Sequence, residues 1–106
     1  MKENIIDFAE IRKGQLNEMI GTYASLGFNI KNILAAMFRG NSYPVSIRGS
    51  QAEIIAFMEL ISKEKSFMDA YSRYGLDDPR TYKNKSKLDI AVDKFERSTG
   101  IKWPFQ

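Results

Sequence analysis

The amino-acid sequence predicts an α+β fold that is predominantly helical, with about four helices and at most a small two-stranded sheet. Apolar residues recur at three- and four-residue intervals through most of the chain, which is the spacing of helices with one buried face. Two serines, Ser50 and Ser86, stand where helix starts are expected. Residues 43–48 alternate between two sides of an extended chain, as a half-buried strand does.

The N-terminal part of the chain is expected to form helices. Helical spacing over about residues 3–26 predicts one long helix or two shorter ones, with a bend or break beside Gly14. Gly27 suits the C-terminal cap of that region. A further helix is predicted over about residues 30–39, and Gly40 begins the turn that ends it.

Two extended segments are candidates for the small sheet. Residues 43–48 and residues 101–105 both alternate between apolar and other side chains, and each contains one proline. A strand needs a partner, so we predict that these two segments pair with each other. The alternative is that both are extended segments covering a helical core.

Two further helices complete the prediction. Ser50 and Glu53 have the spacing of a capping box, so the third helix is expected to begin after Ser50 and to end at Gly75. The same signal, with aspartate in the third position, predicts that the fourth helix begins at Ser86 and ends at Gly100.

The apolar faces of the third and fourth helices are expected to form much of the core. Methionines at helical spacing are interpreted as core filling, and the alternative is an adaptable methionine-rich binding groove. The core residues predicted on these two helices are Phe57, Ile61, Met68, Leu88, Val92 and Phe95. The methionines interpreted in this way are Met19, Met37, Met58 and Met68.

Composition excludes several classes of function. The chain contains no histidine and no cysteine, which are the residues that carry most neutral-pH proton transfer, zinc binding and thiol chemistry. We therefore expect no zinc site and no catalytic triad with a histidine base, whereas carboxylate chemistry stays open. Because no nucleophile, base and oxyanion donors can be assembled from the residues present, we also expect no metal, no cofactor and no enzymatic activity. The length fits one domain over residues 1–106, and the absence of a secretory signal or a long apolar run predicts a cytoplasmic protein without a membrane span.

Positive charge is concentrated in one segment, residues 80–87, which holds four bases and no acid. On a loop that enters a helix, such cations suit a phosphate backbone, so nucleic-acid binding is the alternative function. The competing interpretation is a solvated loop in which Arg80 pairs with Asp77 and Asp78. The residues that would bind an anion or nucleic acid are Arg80, Tyr82, Lys83, Lys85 and Lys87.

Aromatic residues suggest a different surface. Tyr71, Tyr74, Trp103 and Phe105 supply more aromatic area than a small core easily buries, and aromatic residues are enriched at protein interfaces. If they are exposed together they would bind a protein partner, and otherwise they form an edge of the core. The leading functional prediction is a small non-enzymatic module that binds another protein.

Overall fold

The structure is a computed structural model that describes residues 4–16 and 20–105. Within those ranges it contains four helices and one two-stranded sheet, which confirms the predicted α+β, mainly helical class. In chain order the elements are β1 (Asn4–Asp7), α1 (Phe8–Leu16), α2 (Ile20–Phe38), β2 (Val45–Arg48), α3 (Gln51–Tyr74) and α4 (Pro79–Thr99).

The sheet pairs the two strands β1 and β2 in parallel, with Asn4 opposite Val45 and Ile6 opposite Ile47. Parallel strands need a long crossover, which α1 and α2 supply. The predicted pairing of residues 43–48 with residues 101–105 is therefore wrong, and β1 lies where a helix was predicted. The β-branched Ile5 and Ile6 suit a strand, and the sheet buries Ile6 while Ile5 stays exposed.

The C-terminal segment, residues 101–105, is not a strand: residues 101–103 have no regular secondary structure, and residues 104–105 form a turn. Its backbone N–H groups donate to side chains instead of to a neighbouring strand: Lys102 N–H to Gln15 at 3.1 Å, and Trp103 N–H to Glu96 at 2.9 Å. Of the alternative interpretation, the covering of a helical core is correct, because Ile101 and Trp103 are buried.

The N-terminal helices differ from the prediction at their boundaries. Two helices form, and Gly14 lies within α1 instead of breaking it. Gly27 lies within α2 and caps nothing, because the helix continues to Phe38. The helix predicted over residues 30–39 is the second half of α2, and Gly40 takes a positive φ of 70° in the turn that follows.

The start of α3 is the predicted capping box. The Ser50 side chain accepts a hydrogen bond from the Glu53 N–H at 3.2 Å, and the Glu53 carboxylate accepts one from the Ser50 N–H at 2.8 Å. At the other end, the Gly75 N–H donates to Tyr71 O at 2.9 Å, so α3 ends where it was predicted to end.

The start of α4 lies two turns before the predicted position. Asp78 is the N-cap and accepts a hydrogen bond from the Arg80 N–H at 2.8 Å, while Pro79 occupies the first helical position, where its missing N–H costs nothing. Ser86 is therefore an exposed residue inside the helix, and the capping role predicted for it is wrong. The helix ends at Gly100 as predicted, with a φ of 72°.

Four aromatic rings meet at the centre of the core, and we call them the aromatic cluster: Phe8, Phe57, Phe95 and Trp103. Phe8 lies 5.6 Å from Phe57 and 5.9 Å from Phe95 between ring centroids, in edge-to-face contacts. Trp103 lies 5.3 Å from Phe95 and 6.3 Å from Phe57. Each ring comes from a different part of the chain, so the cluster joins α1, α3, α4 and the C-terminal segment.

The predicted core is right except at two methionines, Met58 and Met68. Phe57, Ile61, Leu88, Val92 and Phe95 belong to one buried cluster. Met68 is 40% exposed and Met58 is 57% exposed, so core filling was the wrong interpretation for both. The two methionines lie on the flank of α3 that borders open clefts beside α2, whereas Met37 packs against the core and Met19 lies outside the described residues.

The two serines provide a test of the helix starts. Replacing Ser50 with alanine removes an N-cap acceptor, and we expect a loss of about 0.5 to 2 kcal/mol of unfolding free energy. Ser86→Ala changes an exposed position within a helix, and we expect a change of less than about 0.5 kcal/mol. Urea unfolding of both variants is the measurement, and equal losses would contradict the assigned boundaries.

Two glycines provide a test of the packing around Phe8. A Cβ atom on Gly49 would lie 2.6 Å from Cδ2 of the buried Phe8 ring, so Gly49→Ala should cost about 1 to 3 kcal/mol by overpacking. Gly27→Ala is the matched control, because its Cβ would meet only Pro104 at 3.9 Å and alanine favours the helix by about 0.5 to 1 kcal/mol. The measurement is the midpoint temperature of thermal unfolding. A shift of this temperature in the same direction for both variants would contradict this packing.

Candidate binding cleft

An apolar cleft opens where the C-terminal half of α2 passes beside the middle of α3. Its volume is about 320 Å³, and the C-terminal segment closes one end of it. We call it the Glu64 cleft after the one acidic residue that lines it. Its lining residues are Lys31, Leu34, Ala35, Phe38, Glu64, Met68 and Phe105.

Large apolar side chains stand exposed around this cleft. Phe38 is 45% exposed, and Met68 and Phe105 are each 40% exposed. They come from three elements: Phe38 follows Leu34 by one turn of α2, Met68 follows Glu64 by one turn of α3, and Phe105 ends the described chain. Apolar surface that is grouped in this way is typical of a binding site, whereas single exposed apolar residues are common everywhere.

Glu64 is a buried carboxylate in apolar surroundings. Only 8% of the residue is exposed, and its Oε2 atom accepts a hydrogen bond from the Trp103 indole N–H at 2.9 Å. Burial raises the pKa of Glu64, although the Trp103 hydrogen bond and the positive charge of Lys85 oppose that shift. The position of the carboxylate is therefore set by the core, since the buried indole needs an acceptor.

One lysine lines the cleft and two others lie near its residues, and none of the three forms an ion pair with Glu64. Lys31 lies at the rim and is exposed. The Lys65 ammonium lies 5.2 Å from the centroid of the Phe38 ring, and Lys85 donates to Asp89 at 2.6 Å. Among the described residues, no lysine or arginine lies within ion-pair distance of the Glu64 carboxylate.

The four aromatic residues predicted to bind a partner do not form one surface. Trp103 is 3% exposed and belongs to the core, because its ring packs against the rings of both Phe57 and Phe95. Phe105 lies 5.8 Å from Trp103 and reaches the Glu64 cleft. Tyr71 and Tyr74 are exposed near the end of α3 and do not line the cleft.

The basic segment lies on α4, so the prediction of a loop is wrong. Pro79 and the Asp78 cap start the helix before the cations. Asp78 accepts hydrogen bonds from the Arg80 guanidinium at 3.0 Å, and this contact lowers the pKa of Asp78 and raises that of Arg80. The Arg80 guanidinium also lies 3.5 Å from the centroid of the Tyr74 ring. The N-terminus of α4 therefore already holds a carboxylate of this chain.

The remaining cations do not converge on one point. Lys85 pairs with Asp89 and lies 5.9 Å from the Phe67 ring, toward α3. Tyr82, Lys83 and Lys87 are exposed. Because a helix turns by about 100° per residue, Lys83 and Lys87 share one face of α4, whereas Tyr82 and Lys85 lie on another side. The competing interpretation was a solvated loop in which Arg80 pairs with Asp77 and Asp78. Arg80 does pair with Asp78, whereas Asp77 forms none of the described ion pairs.

Two other clefts lie near the sheet. One of about 410 Å³ lies between α2, β2 and α3, and none of the described residues that line it is charged. The other, of about 310 Å³, lies between β1, α1 and α2 and carries Asp7, Glu10 and Arg48. The Glu64 cleft differs from both, because it combines apolar walls with a carboxylate that is more than nine-tenths buried.

Sequence reasoning did not identify this site, although one signal for it was present. Glu64 follows Phe57, Leu60 and Ile61 at the spacing of the buried face of α3. An acid at such a position needs either a buried partner or a ligand. At the other end of the cleft, the sequence around Leu34 and Phe38 has the same spacing as any apolar helix face, so it does not indicate a binding site.

Comparison of the chain with protein-family models, curated proteins and solved structures found no match. Among the described residues, no three acidic, histidine or cysteine side chains are grouped so that they could hold a metal ion. In the same part of the chain, no helix has the length and apolar character needed to cross a membrane. The site is therefore interpreted from its geometry.

Two buried carboxylates should affect stability in opposite directions as pH changes. Burial acts to raise the pKa of Glu53, but hydrogen bonds from Ser50 and Arg12 and the Arg12 charge lower it overall, so its stabilising effect should disappear as the pH falls. The raised pKa of Glu64 means that its contribution to stability should fall as the pH rises from the ordinary carboxyl value toward that raised pKa.

Glutamine variants test this difference. At neutral pH, Glu53→Gln should unfold at a lower urea concentration than the wild type. Glu64→Gln should unfold at the same concentration or higher, because glutamine still accepts the Trp103 hydrogen bond without a buried charge. Urea unfolding between about pH 4 and pH 8 is the measurement. A loss of stability in Glu64→Gln that grows with pH would contradict the environment assigned to this carboxylate.

Proposed function

We propose that this protein is a non-enzymatic binding module that holds a segment of another protein in the Glu64 cleft. The observation that carries the proposal is the group of exposed apolar side chains around the cleft: Phe38, Met68 and Phe105. Each leaves apolar area in water that a partner would cover, at a gain of about 25 cal/mol for each Å² buried. The lack of histidine and cysteine supports a binding role rather than a catalytic one.

The shape of the site favours a protein segment over a small molecule. At about 320 Å³ the cleft lies at the lower limit of small-molecule pockets, and its exposed rim extends over α2, α3 and the C-terminal segment. Phenylalanine and methionine are enriched in protein interfaces, and methionine adapts its shape to different partners. A chain segment would bury this rim as well as the floor.

Nucleic-acid binding through residues 80–87 has less support. Arg80 is engaged by Asp78, and Lys85 is engaged by Asp89, so two of the four cations already have partners. Phosphate neutralisation draws its affinity from several cations acting together. We keep nucleic acid as an alternative that the following experiment separates from protein binding.

Peptide selection tests the proposed function. A random-peptide display library is selected on the folded protein, and each recovered peptide is titrated into isotope-labelled protein by NMR. We expect the largest amide shift changes at residues 31–38 and 64–68 and at Phe105. Met68→Gln should weaken binding by about tenfold, because a polar side chain replaces apolar contact at the rim.

Ile55→Gln is the matched control for that variant. Ile55 is 53% exposed on the same helix but does not line the cleft, so its replacement should leave peptide affinity unchanged. Peptides that bind both variants equally well would contradict the proposal. A single-stranded oligonucleotide that binds with steep salt dependence, and is displaced by no peptide, would favour the alternative function.

A further inference from the structure

The Glu64 carboxylate has unused binding capacity at the floor of the cleft. An ionised carboxylate accepts hydrogen bonds on both oxygens, and the Trp103 indole engages only Oε2 in the described contacts. None of the described ion pairs joins a cation to Glu64: Lys85 pairs with Asp89, Lys65 lies over the Phe38 ring, and Lys31 lines the cleft without an ion pair to this carboxylate. No buried side-chain oxygen of the described residues lacks a partner, so the Oε1 atom of this largely buried residue reaches the cleft, where a further donor can bind it.

We propose that the Glu64 cleft binds a lysine or arginine side chain of the partner segment, with the cation donating to the Glu64 carboxylate and the aliphatic stem lying along the apolar walls. This inference rests on the proposed function and specifies what the partner presents. The two parts of the cleft match the two parts of such a side chain, since Leu34, Ala35 and Met68 are apolar and Glu64 is anionic.

Other occupants fit the floor of the cleft less well. A purely apolar side chain would remove the remaining water from Glu64 and supply no donor, which penalises the charged form. An acidic side chain would place like charges together in a poorly hydrated site. A basic side chain alone supplies both the countercharge and the hydrogen-bond donors that a buried carboxylate needs.

Lys31 opposes an incoming cation but does not prevent its binding. Lys31 is exposed at the rim, where water and salt screen its charge, whereas Glu64 lies at the floor in a less polar environment. Lys85 is held on the α4 side by Asp89. Screening therefore weakens the Lys31 repulsion more than the Glu64 attraction.

The experiment uses peptides recovered by selection on the wild-type protein and a substitution inside each peptide. Replacing its basic residue with norleucine keeps most of the aliphatic stem and removes the charge. We expect this change, and Glu64→Gln in the protein, each to weaken binding by about tenfold or more. The two changes together should weaken binding little more than either alone, because they remove the same contact.

The outcomes separate this inference from the function on which it rests. Peptides that lose affinity with Met68→Gln but bind Glu64→Gln as well as wild type would overturn the inference and leave the proposed function standing. Acidic or uncharged peptides that bind the cleft would do the same. Peptides insensitive to both variants, or a failure to recover any peptide, would overturn both. Glu64→Gln retains the acceptor for the Trp103 indole, and an unchanged NMR spectrum outside the cleft verifies its fold.

Discussion

The contact of Trp103 with the rings of Phe57 and Phe95 is the interaction on which the rest of this structure depends. Residues 101–105 have no strand partner, and the burial of Ile101 and Trp103 holds them against the helices. Phe8 brings α1 to the same rings, and the tight space beside it leaves room only for glycine at position 49. A two-stranded sheet is too small to organise such a fold, so aromatic packing takes that role.

The same contact produces the candidate site. Burying an indole requires an acceptor for its N–H, and the core meets that requirement with Glu64. The carboxylate is thereby held in an apolar position that no ion pair of the described chain neutralises. Phe105 follows Trp103 by two residues and is carried to the edge of the same cleft. Structure and proposed function thus share one residue pair, Trp103 and Glu64.

Local signals in the sequence predicted the fold well, and signals that depend on distant contacts did not. The capping box at Ser50 and the glycines after α3 and α4 were read correctly, because caps are set by neighbouring residues. The pairing of β1 with β2 was missed, since the short strand Asn4–Asp7 is equally compatible with helical spacing. The exposure of Met68 was missed, and the burial of Trp103 was only one of two open alternatives, because each depends on where the C-terminal segment lies.

The most direct test of this account is the set of nuclear Overhauser contacts between a bound, selected peptide and the protein. We expect contacts from the peptide to the Met68 methyl group and to the rings of Phe38 and Phe105, with the basic side chain nearest to Glu64. We also expect that the Trp103 indole N–H stays protected from exchange, because the core bond to Glu64 persists. Contacts confined to the face of α4 that carries Lys83 and Lys87 would contradict this account.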